Sequence, residues 1–597
     1  MLERYLDTLL FELQGADEFI MAMPAEARTE WEALPPDQRT RLRQKADGWL
    51  QRDVPPLSAS SYISFSRAGI AAEYGENWDA RREMLCDLVM GTCLFPDGRY
   101  DMKLCDVIWA ICEESSWVLP RNNPINRGRE GMPLPDVRAH RVDIGAARTA
   151  ADLALAVHMV AARLSAVSDQ LIDRIEREID ERVIKPFTTL SDFNWMCGPK
   201  ADALRCLVGC ALAVLTFVRE DRLRWVGARK CWQLFDRLLE ALPHDGSLGA
   251  GLDAWAGTAE PMMDMVMTML SASRGRVDAR HEKQIQLLCH YPVFCHVAQR
   301  WFINPGQHSM KPSLDGAQMY RIGCYIGDDA LCDLGAFLAH AAGGAAPEKG
   351  KWLLHRSADL FNVAPLMTEP GKPPFRRQGY YAAAQTMVAR GAEDSEQGIA
   401  LAVHGGANGD VGAHPDVGDF VLFCGGDPVL IDAGYLSDTE FHNLPIIDGK
   451  GQKLGASFRA EDVSCRLEDA FALISLNLAY AYPEELGVQS WQRSLVFERD
   501  DGTLRLIEVF DLNEEKRIEF NFMTPNEPGL GQNWAQLGPV RLRWEKGLSA
   551  VCDTLSVPEG EGRALWGEKL YRLVLSTDTP QREGKLTFTF NPLRTFG

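Results

Sequence analysis

The stretch MTEPGKPPFRRQG, Met367 to Gly379, packs three prolines and two glycines into thirteen residues and stands where the hydrophobic pattern of the chain changes period. Proline continues neither a helix interior nor a central strand, so such a run reads as a connection. Before it, apolar residues recur every three or four positions. In ADLALAVHMVAARLSAVSDQLIDRIEREIDERVIKPF, Val157, Val160, Leu164, Val167, Leu171, Ile175 and Ile179 make one stripe. That stripe predicts a single amphipathic helix, closed by Pro186. Similar patterns lie around Met84 to Met90, Asp106 to Glu114, Ala201 to Val218, Cys231 to Leu242 and Met262 to Ser271. After the connection the period falls to two. In LTFTF, Leu586, Phe588 and Phe590 share one face, and SLVFERDDGTLRLIEVFDL predicts a hairpin turning at Asp501-Gly502. Helices followed by strands, without βαβ alternation or a fixed-period repeat, give an α+β multidomain chain. The division predicted is an all-α domain over 1–372 and an antiparallel β domain over 373–597.

A chain of 597 residues is too long for one ordinary core, and its apolar content suffices for two or three. Its 83 acidic and 63 basic residues give a formal net charge of -20, which repels a nucleic-acid backbone and excludes that partner class. The start, MLERYLDTLLFELQGADEF, lacks the basic region, continuous apolar core and cleavage site of a signal peptide. No uninterrupted apolar run is long enough for a bilayer, so no membrane association is expected. The fifteen cysteines show no CxxC pair and read as small buried hydrophobes in a reducing cytoplasm. The acidic RIEREIDER reads as a solvated helix face.

The stretch richest in chemistry is AHPDVGDFVLFCGGDPVLIDAGYLSDTEFHNLPIIDG, Ala413 to Gly449. Its His414, Asp432 and His442 are 18 and 10 positions apart, so they meet only if neighbouring strands bring them together. Two imidazoles and a carboxylate suit zinc. The same residues near strand ends also suit turn capping or solvent-facing positions, and the spacing alone leaves both readings open.

HPDVGDFVLF, PVLIDAG and HNLPIIDGKGQ follow, in order, the β-domain motif of the heparinase II/III-like polysaccharide lyases, which this half resembles. His414 matches the second histidine of that family's His-x-His, Asp432 the aspartate after Leu-Ile, and His442 the histidine before Asn443. The resemblance implies that these three bind a mainly structural zinc. In the helical half, ICEESSWVLP (Ile111 to Pro120) is similar to the family's Glu-Glu-x-x-Trp-x-x-Pro segment, and FINPGQHSMKPSLDGAQMYRIGCYIGD (Phe302 to Asp328) to its Phe-Val-Asn segment and the landmarks after it. The implied fold is an incomplete (α/α) toroid followed by an antiparallel β-sandwich. The implied activity is β-elimination on an acidic oligosaccharide or polysaccharide held between them, with no redox cofactor. Such chemistry needs a donor that neutralises the uronate carboxylate and a side chain that moves the C5 proton. A homo-oligomer is compatible with this reading.

The sequence departs from the family at catalytic positions. Gly412 stands for the first histidine of His-x-His, Gly405-Gly406-Ala407-Asn408 for Gly-Gly-His-Asn, and DGSLGAGLDAW puts Ala250 at a glutamate and Ala254 at a tyrosine, leaving Trp255. Asn194 could hold the substrate carboxylate or cap a helix. Tyr435 is a substitute proton carrier or a packing residue, and His404 a base or a solvated strand histidine. Glu113, Glu114, Trp117, Trp195, Trp255 and Asn443 are expected to line the sugar cleft, with toroid packing as the competing account of the tryptophans. His308, in NPGQHSMKP, is a further candidate on a loop, and His244 marks a turn. Three functions follow: a lyase acting on short intracellular oligosaccharides, a non-catalytic zinc-containing carbohydrate-binding relative, and a zinc hydrolase with an open fourth coordination position.

Overall fold

Small residues along one helix set the centre of the helical half. In Ile144–Val167 the first three turns carry Gly145, Ala146, Ala147, Ala150, Ala151 and Ala154, all buried, and they let the helix Ala203–Phe217 approach closely. A Cβ on Gly209 of that neighbour would lie 2.4 Å from the Ala147 carbonyl oxygen, so the crossing requires glycine there. The computed structural model describes residues 2–123, 133–198, 202–249, 251–343, 350–368, 371–409 and 412–593.

Successive helices pair as hairpins: Ala72–Leu94 with Asp101–Cys112, Ile144–Val167 with Asp169–Ile179, Ala203–Phe217 with Asp221–Glu240, Gly251–Ala272 with Lys283–Cys295, and Gly316–Ile326 with Asp329–Ala341. Leu353–Thr368 completes the arc. The first member of each pair, together with that last helix, lines a shared cavity of about 620 Å³, with Trp78, Arg148, Arg205, Glu260, Gln318 and Lys351 each coming from a different helix or its leading loop. This is an incomplete (α/α) toroid.

The predicted stripe from Val157 to Ile179 belongs to two helices. Ser168 is extended (φ -168°, ψ 127°), and its hydroxyl accepts a hydrogen bond from Gln170 N to start the second one. Serine competes with the helical backbone for its own hydrogen bonds, which turns a mid-stripe position into a cap. The second helix then passes through a π turn, Asp180–Ile184, into Lys185–Thr189, with Pro186 in the first turn of that last piece. By length and composition alone Ile144–Val167 is long and apolar enough to cross a membrane, a test that buried core helices also pass. Arg148 and Asp152 interrupt its apolar run without lowering the mean hydropathy enough, and in the fold they pair with each other in the toroid interior.

Buried charge ties the toroid together. Arg82 forks onto Glu114 at 2.6 and 2.8 Å, and Arg321 joins Asp359 at 2.8 Å to Glu260 at 2.7 Å. Beside them His355 Nε2 contacts Asp264 at 2.7 Å. Burial lowers the pKa of His355, but Glu260 and Asp264 outweigh burial and raise it above the ordinary histidine value. The folded protein therefore keeps this proton when the unfolded chain has lost it. The associated stability is fully present below the unfolded pKa of about 6.5 and is lost as pH rises through the raised folded one. Urea midpoints measured against pH should fall on the alkaline side, and His355→Gln should flatten that fall. Parallel curves for the two proteins would remove His355 from the account.

Between Leu353–Thr368 and the strand Gln378–Tyr381 the chain runs through the proline-rich connection into an antiparallel sandwich. One layer has eight strands, in the order Glu461–Leu467, Phe471–Asn477, Val488–Glu498, Thr503–Lys516, Gln581–Pro592, Val540–Trp544, Trp534–Leu537 and Gly529–Gly531. The facing layer combines a five-stranded sheet, Gln378–Tyr381 to Asp427–Leu430, with a four-stranded one containing Pro445–Ile447 and Ile518–Thr524; Ile431 N donates to Met523 O where they meet. The hairpin predicted at Asp501-Gly502 is present, with Glu498 opposite Thr503 and Asp501 accepting from Thr503 N. Phe588 and Phe590 are fully buried against Phe520 and Phe522. Alternation in these strands thus places one face in the core, as period two requires.

The two halves share an apolar seam. Phe294 of the toroid meets Tyr381 of the sandwich at 4.2 Å between ring centroids, and Trp301 stacks on Trp566 at 5.1 Å while touching Phe423.

A candidate metal centre at the seam

Three loops at the ends of neighbouring strands carry the site. Phe420–Cys424 is preceded by the loop with His414, Asp427–Leu430 runs out into Asp432, and the turn Thr439–Phe441 delivers His442. His414, Asp432 and His442 are all buried, and each offers a ligand atom within 4.8 Å of the others. The two imidazole rings are 5.3 Å apart between centroids, and His442 Nδ1 is 3.8 Å from Asp432 Oδ1. The long separations read in the sequence are closed by adjacent strand ends.

Asparagine side chains fix these loops. Asn443 Nδ2 donates to the Phe420 and Ile431 carbonyls at 2.7 and 3.2 Å, its Oδ1 accepts from Met523 N at 2.8 Å, and its own N–H goes to Asp419 Oδ1. Asn408 Oδ1 accepts from Asp416 N and Val417 N, while its Nδ2 reaches Gln452 and Lys453 O. Thr439 Oγ1 donates to Pro415 O, joining the first loop to the third.

The electrostatics favour a cation. Asp416, Asp419 and Asp432 are all buried around His442. Burial pushes the Asp416 carboxyl up to about 8 and also raises Asp432. Burial would lower His442, but Asp419, Asp432 and Asp416 raise it to about 9. His414, buried and facing His442, is lowered to about 4. Neither ring nitrogen of His442 has a hydrogen-bond partner, nor do His414 Nδ1 and Asp416 Oδ2. Buried polar atoms left without partners are costly, and two imidazoles and a carboxylate with ligand atoms within 4.8 Å of one another fit a metal ion better than they fit an apolar interior. Two nitrogens and one oxygen suit zinc, which commonly takes four ligands.

Other expected site residues fall elsewhere. Trp117, Trp195 and Trp255 are buried, and their indole N–H groups donate to the carbonyls of Ile111, Val142 and Leu288. They are core residues, because an indole needs both burial and one acceptor, and a toroid supplies both. Glu114 is taken up by Arg81 and Arg82, and Glu113 accepts from Trp109 Nε1; both border a separate cavity of about 300 Å³. Asn443 is a fully buried strut beneath the candidate metal cluster and is closed to a sugar. Asn194 is exposed and opens the short turn Asn194–Cys197, with Phe193 at the cap position. His404 ends its strand with Nδ1 buried and unpartnered, and burial holds it down to about 4. Tyr435 is half-buried against Gly562, its hydroxyl without a partner and its pKa raised by burial. Ala250 lies outside the described residues, and Ala254 is in the first turn of Gly251–Ala272.

Sequence reasoning missed the carboxylates Asp416 and Asp419, two and five positions after His414, and the toroid cavity. For the first pair the signal was present in HPDVGD. The cavity is lined by isolated residues from separate helices, which no local motif reports.

No family profile and no curated protein matches this sequence. Solved structures do. A heparinase III superposes with a TM-score of 0.59 at 11% identity, over 99% of this chain and 89% of that chain. A heparan sulfate lyase from Pedobacter heparinus gives 0.59 at 11%, over 93% and 87%. A Streptomyces coelicolor A3 chondroitin AC lyase, solved with chondroitin sulphate, gives 0.53 at 12%, over 94% and 83%. The chain has the toroid-and-sandwich fold of these lyases.

Proposed function

We propose that this protein is a lyase that cleaves uronate-containing oligosaccharides by β-elimination, with zinc held by His414, Asp432 and His442. The observation that carries the reading is the convergence of those three buried residues at the seam between toroid and sandwich, in a fold shared with lyases of acidic polysaccharides. Bound there, zinc would hold the three loops in register and add positive charge to that wall. Short acidic substrates would be held in the toroid cavity by Arg121 and Arg205, although its lining mixes both signs: Asp79, Asp202 and Glu260 border it as well, and Arg148 and Lys351 are already paired with buried carboxylates. A reducing compartment is in keeping with fifteen free cysteines, most of them buried in the toroid core.

A second reading, a carbohydrate-binding protein that keeps fold and metal, is favoured by Ala254 and Gly412, which cannot carry a proton. One experiment separates the two. A panel of uronate-containing oligosaccharides is incubated with protein of measured metal content while the ultraviolet absorbance of a C4=C5 uronate is followed. A rise with any member supports the lyase. A flat trace with retained, saturable binding supports the second reading. Arg121→Gln and Arg205→Gln are expected to weaken binding of the preferred oligosaccharide about tenfold each by calorimetry, the scale of one hydrogen bond to a charged group. Unchanged affinity in both would move the substrate out of this cavity.

A further inference from the structure

A loop beside Gly412 brings an imidazole to the start of the helix that carries Ala254. Between the strand Trp301–Phe302 and Met310, residues 303 to 309 enter the space bounded by Gly412, Gly434 and the start of Gly251–Ala272. Gln307 N donates to Gly412 O at 2.9 Å. A Cβ on Gly412, at φ +79°, would lie 2.7 Å from Gln307 Nε2, so the loop occupies the place a side chain at 412 would need. The His308 carbonyl backs onto Gly434, two residues after Asp432.

At the tip of this loop His308 Nδ1 is 2.7 Å from Asp253 Oδ2, on the residue next to Ala254. Asn304 holds the pair in place. Its Nδ2 donates to Asp253 Oδ2 at 3.2 Å and to Ser309 O at 3.0 Å, and its Oδ1 accepts from Leu252 N at 2.9 Å. The Asp253 carboxylate is held below the usual range by its hydrogen bond to His308. The His308 side chain is 19% exposed and Asp253 48%, so the pair is open to a ligand at the seam. A carboxylate 2.7 Å from Nδ1 favours the tautomer that leaves Nε2 free to act as a base, the arrangement in which acid-base histidines work.

We infer that His308, oriented by Asp253, is the acid and base of the elimination, replacing side chains absent at 254 and 412; this rests on the lyase reading above. Nε2 takes the C5 proton of the uronate. The electron pair of that C–H bond becomes the C4=C5 double bond, the C4–O4 bond breaks with its pair on O4, and the proton on His308 passes to O4. No oxidant or reductant is consumed. Asp253 is a positioning residue: it fixes the tautomer and steadies the imidazolium.

The test uses the full chain and the oligosaccharide found active in the panel. His308→Ala should lower kcat by about 10²-fold or more, the scale of a lost general base. Added imidazole should restore part of the rate, and the thermal shift produced by the oligosaccharide should persist. Asp253→Asn should lower kcat with KM little changed, and Asp253→Glu should recover part of it. A His308→Ala protein within about threefold of the wild type overturns the dyad and leaves the lyase reading standing. Loss of turnover together with loss of the thermal shift also overturns it, because His308 is then part of the binding surface or the fold. A wild-type protein silent on every oligosaccharide overturns the lyase reading, and the dyad with it.

Discussion

Arg493→Met is expected to cost about 3–5 kcal/mol of stability, the price of leaving a buried charge without its partner. Arg493 and Glu508 face each other directly across the strands Val488–Glu498 and Thr503–Lys516, and both side chains are buried. Arg493 Nε donates to Glu508 Oε1 at 2.9 Å, and Trp491 Nε1 donates to Oε2 at 2.9 Å. The other arm of the guanidinium, Nη1, donates to Gly418 O and Asn443 O at 2.7 Å each. Methionine fills much of the volume but supplies none of the donors, so one carboxylate oxygen and two carbonyls lose their partners. The double variant Arg493→Met/Glu508→Leu should recover part of the loss, since removing both charges also removes their desolvation. Gly418 and Asn443 border the loops of His414 and His442, so the single variant should also retain less zinc at a fixed free concentration. Arg82→Met, which breaks a comparable buried pair in the toroid, should lower the urea midpoint similarly while leaving zinc content unchanged. Equal zinc loss in both would show that the metal follows global stability and that Arg493 has no special hold on the site.

The contrast between these two arginines also shows what the sequence could and could not report. Hydrophobic period is a local quantity, and it separated the helical from the strand half at the proline-rich stretch because helix and strand bury different spacings. The hairpin at Asp501-Gly502 was legible for the same reason, being fixed by a few adjacent residues. His414, Asp432 and His442 were legible through their order along the chain, although their convergence depends on which strands are neighbours. Buried partners such as Arg493 with Glu508, or Arg82 with Glu114, leave no local mark, since a charged residue at a core position looks like any other charged residue until its partner is placed. The same blindness explains Trp117, Trp195 and Trp255. A tryptophan that stacks on sugar and one that fills a helix crossing have the same composition around them, and only burial with the indole N–H satisfied tells them apart. Ser168 was misread because a serine inside a long stripe can face solvent or stop a helix, and the choice is made by packing on either side.

His442→Ala is expected to abolish metal retention and, with it, the response of the protein to a chelator. His442 is fully buried, neither ring nitrogen has a hydrogen-bond partner, and Asp419 and Asp432 lie 3.6 and 3.8 Å from Nδ1. Without a metal ion, protons neutralise the cluster instead: burial raises Asp416 to about 8, and the surrounding carboxylates raise His442 to about 9, so the ion must displace them to bind. A zinc ion bound to the folded state alone stabilises by about 4 kcal/mol when its free concentration is a thousandfold above Kd. The wild type should therefore carry about one zinc per chain, as the three-ligand set implies, and should melt at a lower temperature once the metal is stripped. His442→Ala should carry little zinc, melt near the stripped wild type and show no further change with chelator. Asp432→Asn should behave alike, since its amide keeps the shape but loses the charge. Asp253→Asn, outside the three-ligand cluster, is the control that should retain full zinc while losing turnover. A His442→Ala protein with undiminished metal would mean that the ion sits elsewhere. The partnerless nitrogens at the seam would then need another account, and the His308–Asp253 pair would stand beside a protonated cluster.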